Sequence, residues 1–370
     1  MTKSTAMLIG QTGMPDYPIR RQLGWFEFLP TWCFYAPVVL QSVGLGVYYR
    51  SLTLPLLANP GITLSGMVGE AKSDIFAQAG EHAQQYIAPY WRWHKPKKMT
   101  SAIQNNLLAE LRAAGLSIPL VAKPDKGCRG AGVQYIDSEQ KVLDYVAAFP
   151  EERDIVFQAL APYEAEAGLF YIRYPGEGQG QIFSLGLKYL PAVVGDGVST
   201  LEALIRCNET VADRAHLYHQ RHRDRLQNVV PAGERVPLAF SGSHCRGAIF
   251  KDGASWITPE LTARIDAIAK DIEGFYFGRF DIKFRDIPSL IKGKELCIVE
   301  VNGASSEPAH IWDSDGGYCQ AVRALLCQYR HLYHIGECIR RRGHKPPSLR
   351  ALLRVWFQER HWMTQYPDTD

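Results

Sequence analysis

Gly278-Arg279-Phe280-Asp281-Ile282-Lys283-Phe284 is followed, one turn later, by Leu296-Cys297-Ile298-Val299-Glu300-Val301-Asn302-Gly303. Both runs are rich in β-branched and aromatic residues and are separated by Pro288 and Gly293, which predicts two β-strands. Side chains alternate across a strand, so Glu300 and Asn302 share one face. If the strands pair, Asp281 joins them from the neighbour. Two carboxylates and an amide are all-oxygen ligands, which suit Mg²⁺ (one ion or two, with Mn²⁺ as a substitute) rather than zinc. So few protein ligands leave positions for nucleotide phosphates, and ATP is the expected cofactor.

A second stretch strengthens that expectation. Ile118–Lys123 reads as a strand running into the glycine-rich loop Pro124-Asp125-Lys126-Gly127-Cys128-Arg129-Gly130-Ala131-Gly132. Glycines let backbone N–H groups approach phosphate oxygens, and a strand lysine such as Lys123 adds a point charge. The loop lacks the Gly-Lys-[Ser/Thr] ending of a Walker A motif and is not a dinucleotide fingerprint. Alone it reads equally well as a hairpin turn; the downstream Asp…Glu-x-Asn set decides for phosphate.

Taken together, these elements resemble the ATP-grasp superfamily of carboxylate–amine ligases, of the D-alanine–D-alanine ligase and cyanophycin-synthetase type. The resemblance covers about residues 100–315. It implies an α/β (α+β) fold in which two α+β subdomains clamp ATP, here after an atypical aromatic-rich N-terminal domain. The expected divisions are 1–98, 99–165 with the glycine loop, 166–340 with the metal strands, and a basic amphipathic tail over 341–370. By the same resemblance Lys123, Lys126, Gly127, Arg129, Gly130 and Gly132 meet the phosphates, and Gln158 and Leu160 meet the adenine. Glu164 or Glu166 lies near the ribose, Lys95, Lys97 or Lys98 offers a further ATP contact, and Asp281, Glu300 and Asn302 hold the metal.

Arg279 shares the strand face of Asp281, where it either stabilises charge on a reacting group or only pairs with Asp281. Arg246, in Ser243-His244-Cys245-Arg246-Gly247, contacts phosphate or substrate or lies on the surface. The polar run after the metal strand offers Ser305, Glu307 and His310 for substrate, unless it is a solvated loop. His216, His219 and His222 stand among arginines and read as a solvated basic helix. Ser199-Thr200-Leu201-Glu202 reads as a capping box.

Composition limits the alternatives. The net charge of +3 gives no general nucleic-acid affinity, and eight cysteines without a C-x-x-C pair fit a reduced, cytoplasmic protein. From Phe28 to Tyr49 no residue is charged, although Pro30, Pro37, Gly44 and Gly46 interrupt the run. A buried or partner-facing element is expected there, with peripheral membrane contact through this segment or the tail as the alternative. A homo-oligomer is expected. The function expected is an ADP-forming ligase that joins an amino-acid or peptide carboxylate to an amine through an acylphosphate. Its rivals are a small-molecule kinase and a membrane-associated regulatory nucleotide-binding protein.

Overall fold

A computed structural model describes residues 7–8, 10–18, 31–127, 130–208, 211–240, 242, 247–312 and 317–369. Side chains are described for all of these except Met7, Leu8, Pro18, residues 31–34, His310 and Trp312. The chain opens with β1 (Met7–Leu8), β2 (Tyr17–Pro18), α1 (Thr31–Tyr48), α2 (Lys72–Ala77) and α3 (Glu81–Gln84). Next come β3 (Tyr90–Lys95), α4 (Ser101–Ala113), β4 (Leu120–Pro124), β5 (Gln134–Ile136), α5 (Glu139–Ala148) and β6 (Arg153–Ala159). A second run follows: β7 (Ala165–Ile172), β8 (Gln181–Tyr189), β9 (Ala192–Val194), α6 (Leu201–Cys207), α7 (Ala215–Arg221) and β10 (Arg235–Pro237). Last are β11 (Ile249–Asp252), α8 (Pro259–Lys270), β12 (Phe277–Phe284), α9 (Ile287–Leu290), β13 (Leu296–Asn302), α10 (Tyr318–Arg341) and α11 (Leu349–Met363).

This is a mixed α/β architecture with separate antiparallel sheets. A four-stranded sheet has the order β3-β6-β4-β5, and a five-stranded sheet has the order β11-β8-β7-β12-β13. Helices α4 and α5 cover the smaller sheet, with Leu107, Leu111, Val142 and Val146 buried against Leu120, Ile155 and Phe157. Each of these helices starts on a hydroxyl cap: Thr100 accepts from the Ile103 N–H and Ser138 from the Lys141 N–H.

Strand alternation organises the larger sheet. On β12, Phe280, Ile282 and Phe284 enter the core shared with α8, and Phe277 packs on the other face beneath α10. That second face continues along the strand as Arg279, Asp281 and Lys283, so it turns from apolar to charged. Strand β7 repeats the pattern: Phe170 and Ile172 lie under α10, and Glu166 follows toward the charged end. The site is therefore the end of a core face that α10 leaves uncovered.

Helix α1 is buried on one side only. Val38 packs with Ile311, Ala321 and Leu325, whereas Val39, Leu40, Val43, Val47 and Tyr48 are exposed. No helix among the described residues is long and apolar enough to cross a membrane. The capping box needs correction: Thr200, not Ser199, caps α6 by accepting from the Ala203 N–H. Ser199 instead donates its hydroxyl to Asp196 (2.6 Å), and Glu202 pairs with Arg206 one helical turn on. His222 departs from the solvated stripe expected of it; it is buried, and burial together with Arg225 and Arg221 pushes its imidazole down to about 4.

Candidate active site

A cleft of about 1370 Å³ is lined from both larger sheets. The smaller sheet contributes Lys123, Gln158 and Leu160 at the ends of its strands, and the loop after β4 contributes Gly127 and Gly130. Facing them across the cleft stand Glu166, Arg279, Asp281, Glu300 and Asn302, with Ser305 and Glu307 beyond the last strand.

The register of β12 and β13 sets the acidic corner. Asp281 lies directly opposite Glu300, and Arg279 opposite Asn302. The pairing then slips from Asp281↔Glu300 to Ile282↔Ile298, so Val299 is an extra residue without a ladder partner. Its carbonyl is thereby free to accept from Lys123 Nζ at 2.9 Å, while the same ammonium donates to Gln158 Oε1 at 2.7 Å. One bulge thus joins the lysine of one sheet to the strand of the other that carries Glu300 and Asn302. Burial pulls the Lys123 ammonium down to about 8, against the opposing pull of Glu300.

Asp281 is the hub of an ion-pair network. Its Oδ1 accepts from Arg279 Nε at 2.8 Å and lies 3.1 Å from Lys188 Nζ, while its Oδ2 accepts from Arg279 Nη2 at 3.0 Å. Burial alone would raise its pKa, but Arg279 and Lys188 outweigh it and hold the carboxyl well below the usual range. Lys188 also reaches Glu166 (3.2 Å), and so does Lys283 (3.2 Å). Glycine keeps this floor open: a Cβ at Gly168, opposite Asp281 in the register, would stand 3.0 Å from Arg279 Cδ. Arg279 therefore does pair with Asp281, and its Nη1 additionally donates to the Glu307 carbonyl at 2.9 Å.

The polar run beyond β13 is anchored rather than loosely solvated. Ala304 and Ser305 donate backbone N–H groups to Ser65 and Gly66, and the Tyr35 hydroxyl donates to the Glu307 carboxylate. His310 belongs to the turn Ala309–Trp312, and its side chain lies outside the described set. Arg129 and Arg246 also lie outside the described residues. Lys126 places its ammonium over the Trp362 ring at 5.8 Å, and Gly132 donates its N–H to Thr369 Oγ1 at 2.8 Å. Gly130 and Gly132 both take the left-handed backbone conformation that favours glycine (φ 74° and 71°). Glu164 accepts from the Thr12 hydroxyl at 2.9 Å. Lys95 points elsewhere, donating to the carbonyls of Ala147 and Phe149 beneath α5.

Several cleft residues escaped the sequence reading. Lys72, at the start of α2, donates to the Gly127 carbonyl at 2.9 Å and stands 3.5 Å from Glu300. It arrives there because Ala71 bridges to Lys126 and Asp125 accepts from the Ser73 N–H (2.8 Å) and hydroxyl (2.9 Å). Glu70 accepts from the Gly303 N–H at 2.9 Å, and desolvation pushes its carboxyl up to about 7. Lys188 and Lys283 left a legible signal: a charge on the inward parity of an apolar strand needs a buried partner.

Glu70 yields a pH prediction. Its carboxyl is raised from 4.5 to about 7, so the stability it contributes is present below about 4.5 and is lost as pH rises through 7. Glu70→Gln is expected to match the parent at pH 4 and to exceed it by ~1–2 kcal/mol at pH 8. Thermal unfolding of both chains across that range measures the difference. Parallel curves would assign the pH dependence to another group.

No protein-family model and no curated protein matches the chain. Among solved structures it is similar to a D-alanine–D-alanine ligase from Bacillus anthracis at 13% identity and TM-score 0.41, over 77% of this chain and 72% of that one. It is similar to the VanG D-Ala:D-Ser ligase from Enterococcus faecalis at 13% identity and TM-score 0.39, over 72% and 64% of the two chains. A bifunctional glutathione synthetase from Pasteurella multocida aligns at 12% identity and TM-score 0.38 over 74% of this chain, which spans 38% of that enzyme's length. Likenesses at these scores carry no argument about chemistry, which rests on the cleft itself.

Proposed function

We propose that the cleft binds ATP and activates a carboxylate as an acylphosphate, which an amine then attacks to form an amide with release of ADP and phosphate. The observation that carries this reading is the meeting of Lys123 and the glycine-rich loop, from one sheet, with Arg279, Asp281, Glu300 and Asn302 from the other, in one cleft. Cationic and amide donors face a compact acidic corner, the arrangement that in-line phosphoryl transfer needs.

The donor set fits a hard divalent cation shared with phosphates. The acidic corner offers the carboxylates of Asp281 and Glu300 and the amide of Asn302, and no group of three His, Cys, Asp or Glu side chains suited to a metal occurs among the described residues. Such a set calls for phosphate oxygens to complete the shell. Glu300, whose nearest cationic partner among the described residues, Lys72, stands at 3.5 Å, is the more available carboxylate; Asp281 is shared with Arg279 and Lys188. A bound Mg²⁺ would neutralise charge building on the transferring phosphoryl group.

The remaining roles fall to the chain's own residues. Lys123 and Lys72 bracket the phosphates from the loop side. Gln158 and Leu160 edge the space for the adenine, and Glu164, at the mouth with Thr12, is placed for the ribose hydroxyls more openly than the doubly paired Glu166. Arg279, fixed between Asp281 and the Glu307 carbonyl, is held where an oxyanion on the activated carboxylate would develop. Ser305 and Glu307 border the same end and suit an incoming ammonium, which must lose a proton to attack.

ADP release over pooled amino acids, with product analysis, tests the reading. An amide with free phosphate supports ligation. A stable phosphorylated product would replace it with a kinase, and nucleotide binding without turnover would replace it with a regulatory site.

A further inference from the structure

The C-terminal segment plays no part in the chemistry above, yet it sits against the same cleft. Trp356, Glu359, Arg360 and Met363 of α11 line one wall. Glu359 accepts from the Gly69 N–H at 2.8 Å, next to the turn that holds Glu70 and Gly303. Past the helix, the chain lies along the glycine-rich loop. The Tyr366 ring stacks on Phe149 at 5.3 Å between centroids, and its hydroxyl donates to the Lys126 carbonyl at 2.6 Å. Thr369 donates its hydroxyl to the Gly130 carbonyl at 3.0 Å and accepts from the Gly132 N–H at 2.8 Å. Gln134 donates to the Asp368 carbonyl at 2.7 Å, which fixes the tail from β5.

These grips share a property. They fall on the loop's backbone, at Lys126, Gly130 and Gly132, so they set its path whatever its side chains are. Lys72 also holds the Gly127 carbonyl (2.9 Å), and Tyr145 the Gly132 carbonyl (2.8 Å). Glycine lowers the barrier to many backbone states, and ordering such a loop at the moment of binding costs affinity. Tyr366 is itself anchored in the core of the smaller sheet through Phe149, so the tail can transmit that order to the loop.

We propose that Tyr366 and Thr369 are positioning residues for the nucleotide. The C-terminal strap holds the glycine-rich loop in its phosphate-receiving form before ATP arrives, and Gly69 is its second mooring. This assignment rests on the nucleotide reading of the cleft.

The test uses the full chain with Tyr366→Phe, Thr369→Val and the pair combined. The probes are the non-hydrolysable analogue AMPPNP with Mg²⁺, and adenosine, which lacks phosphates. Tyr366→Phe keeps the stacked ring and loses only the hydroxyl, so the fold is retained. The combined variant is expected to bind AMPPNP about ten-fold more weakly, the sum expected of three modest hydrogen bonds, with adenosine affinity unchanged. Equal losses for both probes would mean general loosening and overturn the assignment. Unchanged AMPPNP affinity, or tighter binding as from a removed obstruction, would overturn it too. Failure of the parent chain to bind either probe would instead overturn the nucleotide reading, and the positioning role with it.

Discussion

Glu300→Gln is expected to cut ATP-dependent ADP release by a factor of ~10²–10³ while changing folding stability by less than about 1 kcal/mol, whereas Asp281→Asn loses both activity and stability. The contrast follows from their partners. Glu300 keeps 28% of its side-chain surface and, among the described residues, forms a salt bridge with Lys72 alone, at 3.5 Å. Asp281 is nearly inaccessible and neutralises Arg279 and Lys188 together. Removing its charge leaves two cations facing each other in a buried place. Breaking such a set costs ~3–5 kcal/mol, more than a median surface pair by several-fold. Urea unfolding beside an ADP assay separates the two effects. If Glu300→Gln turns over like the parent, Glu300 holds no catalytic metal; if it unfolds as readily as Asp281→Asn, the acidic corner is a structural network.

How far this site was legible follows from the range of the interactions that build it. Strands β12 and β13 are joined by a short connection, so alternation placed Asp281, Glu300 and Asn302 on one face, and the register agrees. The Val299 bulge was not legible, because a bulge is a choice of pairing and leaves no composition mark. Lys72 and Glu70 come from a segment that reads as an ordinary helix start. Their place depends on Asp125 taking hold of Ser73, a contact between residues 52 apart in sequence. Arg279 showed the reverse problem: the local pairing with Asp281 was legible, but its grip on the Glu307 carbonyl required the turn after β13 to fold back. The strap was least accessible, since an amphipathic basic helix reads alike whether it packs on the body, a partner or a membrane.

Lys123→Met is expected to abolish binding of phosphate-bearing nucleotides and, at pH 7, to stabilise the fold. Burial lowers the Lys123 ammonium from 10.5 to about 8, so the folded chain holds that charge less readily than the unfolded chain does. The stability this group contributes is present above about 10.5 and is lost as pH falls through 8. At pH 7 the deficit amounts to roughly 3 kcal/mol, from 1.36 kcal/mol per pH unit. Against it stand the hydrogen bonds to Gln158 and Val299, worth ~1 kcal/mol each and open to replacement by cleft water. Desolvation wins, leaving the methionine chain ahead by ~1–2 kcal/mol at pH 7, level with the parent near about pH 9 and behind it by ~1 kcal/mol at about pH 10. Nucleotide binding is expected to show the complementary trend, because phosphates need the charged form: affinity in the parent should weaken as pH rises past about 8. Denaturant unfolding of both chains between pH 7 and pH 10, with AMPPNP titrations at the same points, reads both trends. A methionine chain less stable than its parent at pH 7 would show that the bridge from Lys123 to Val299 holds the sheets together. One that still binds AMPPNP would move the phosphates away from Lys123 and toward Lys72.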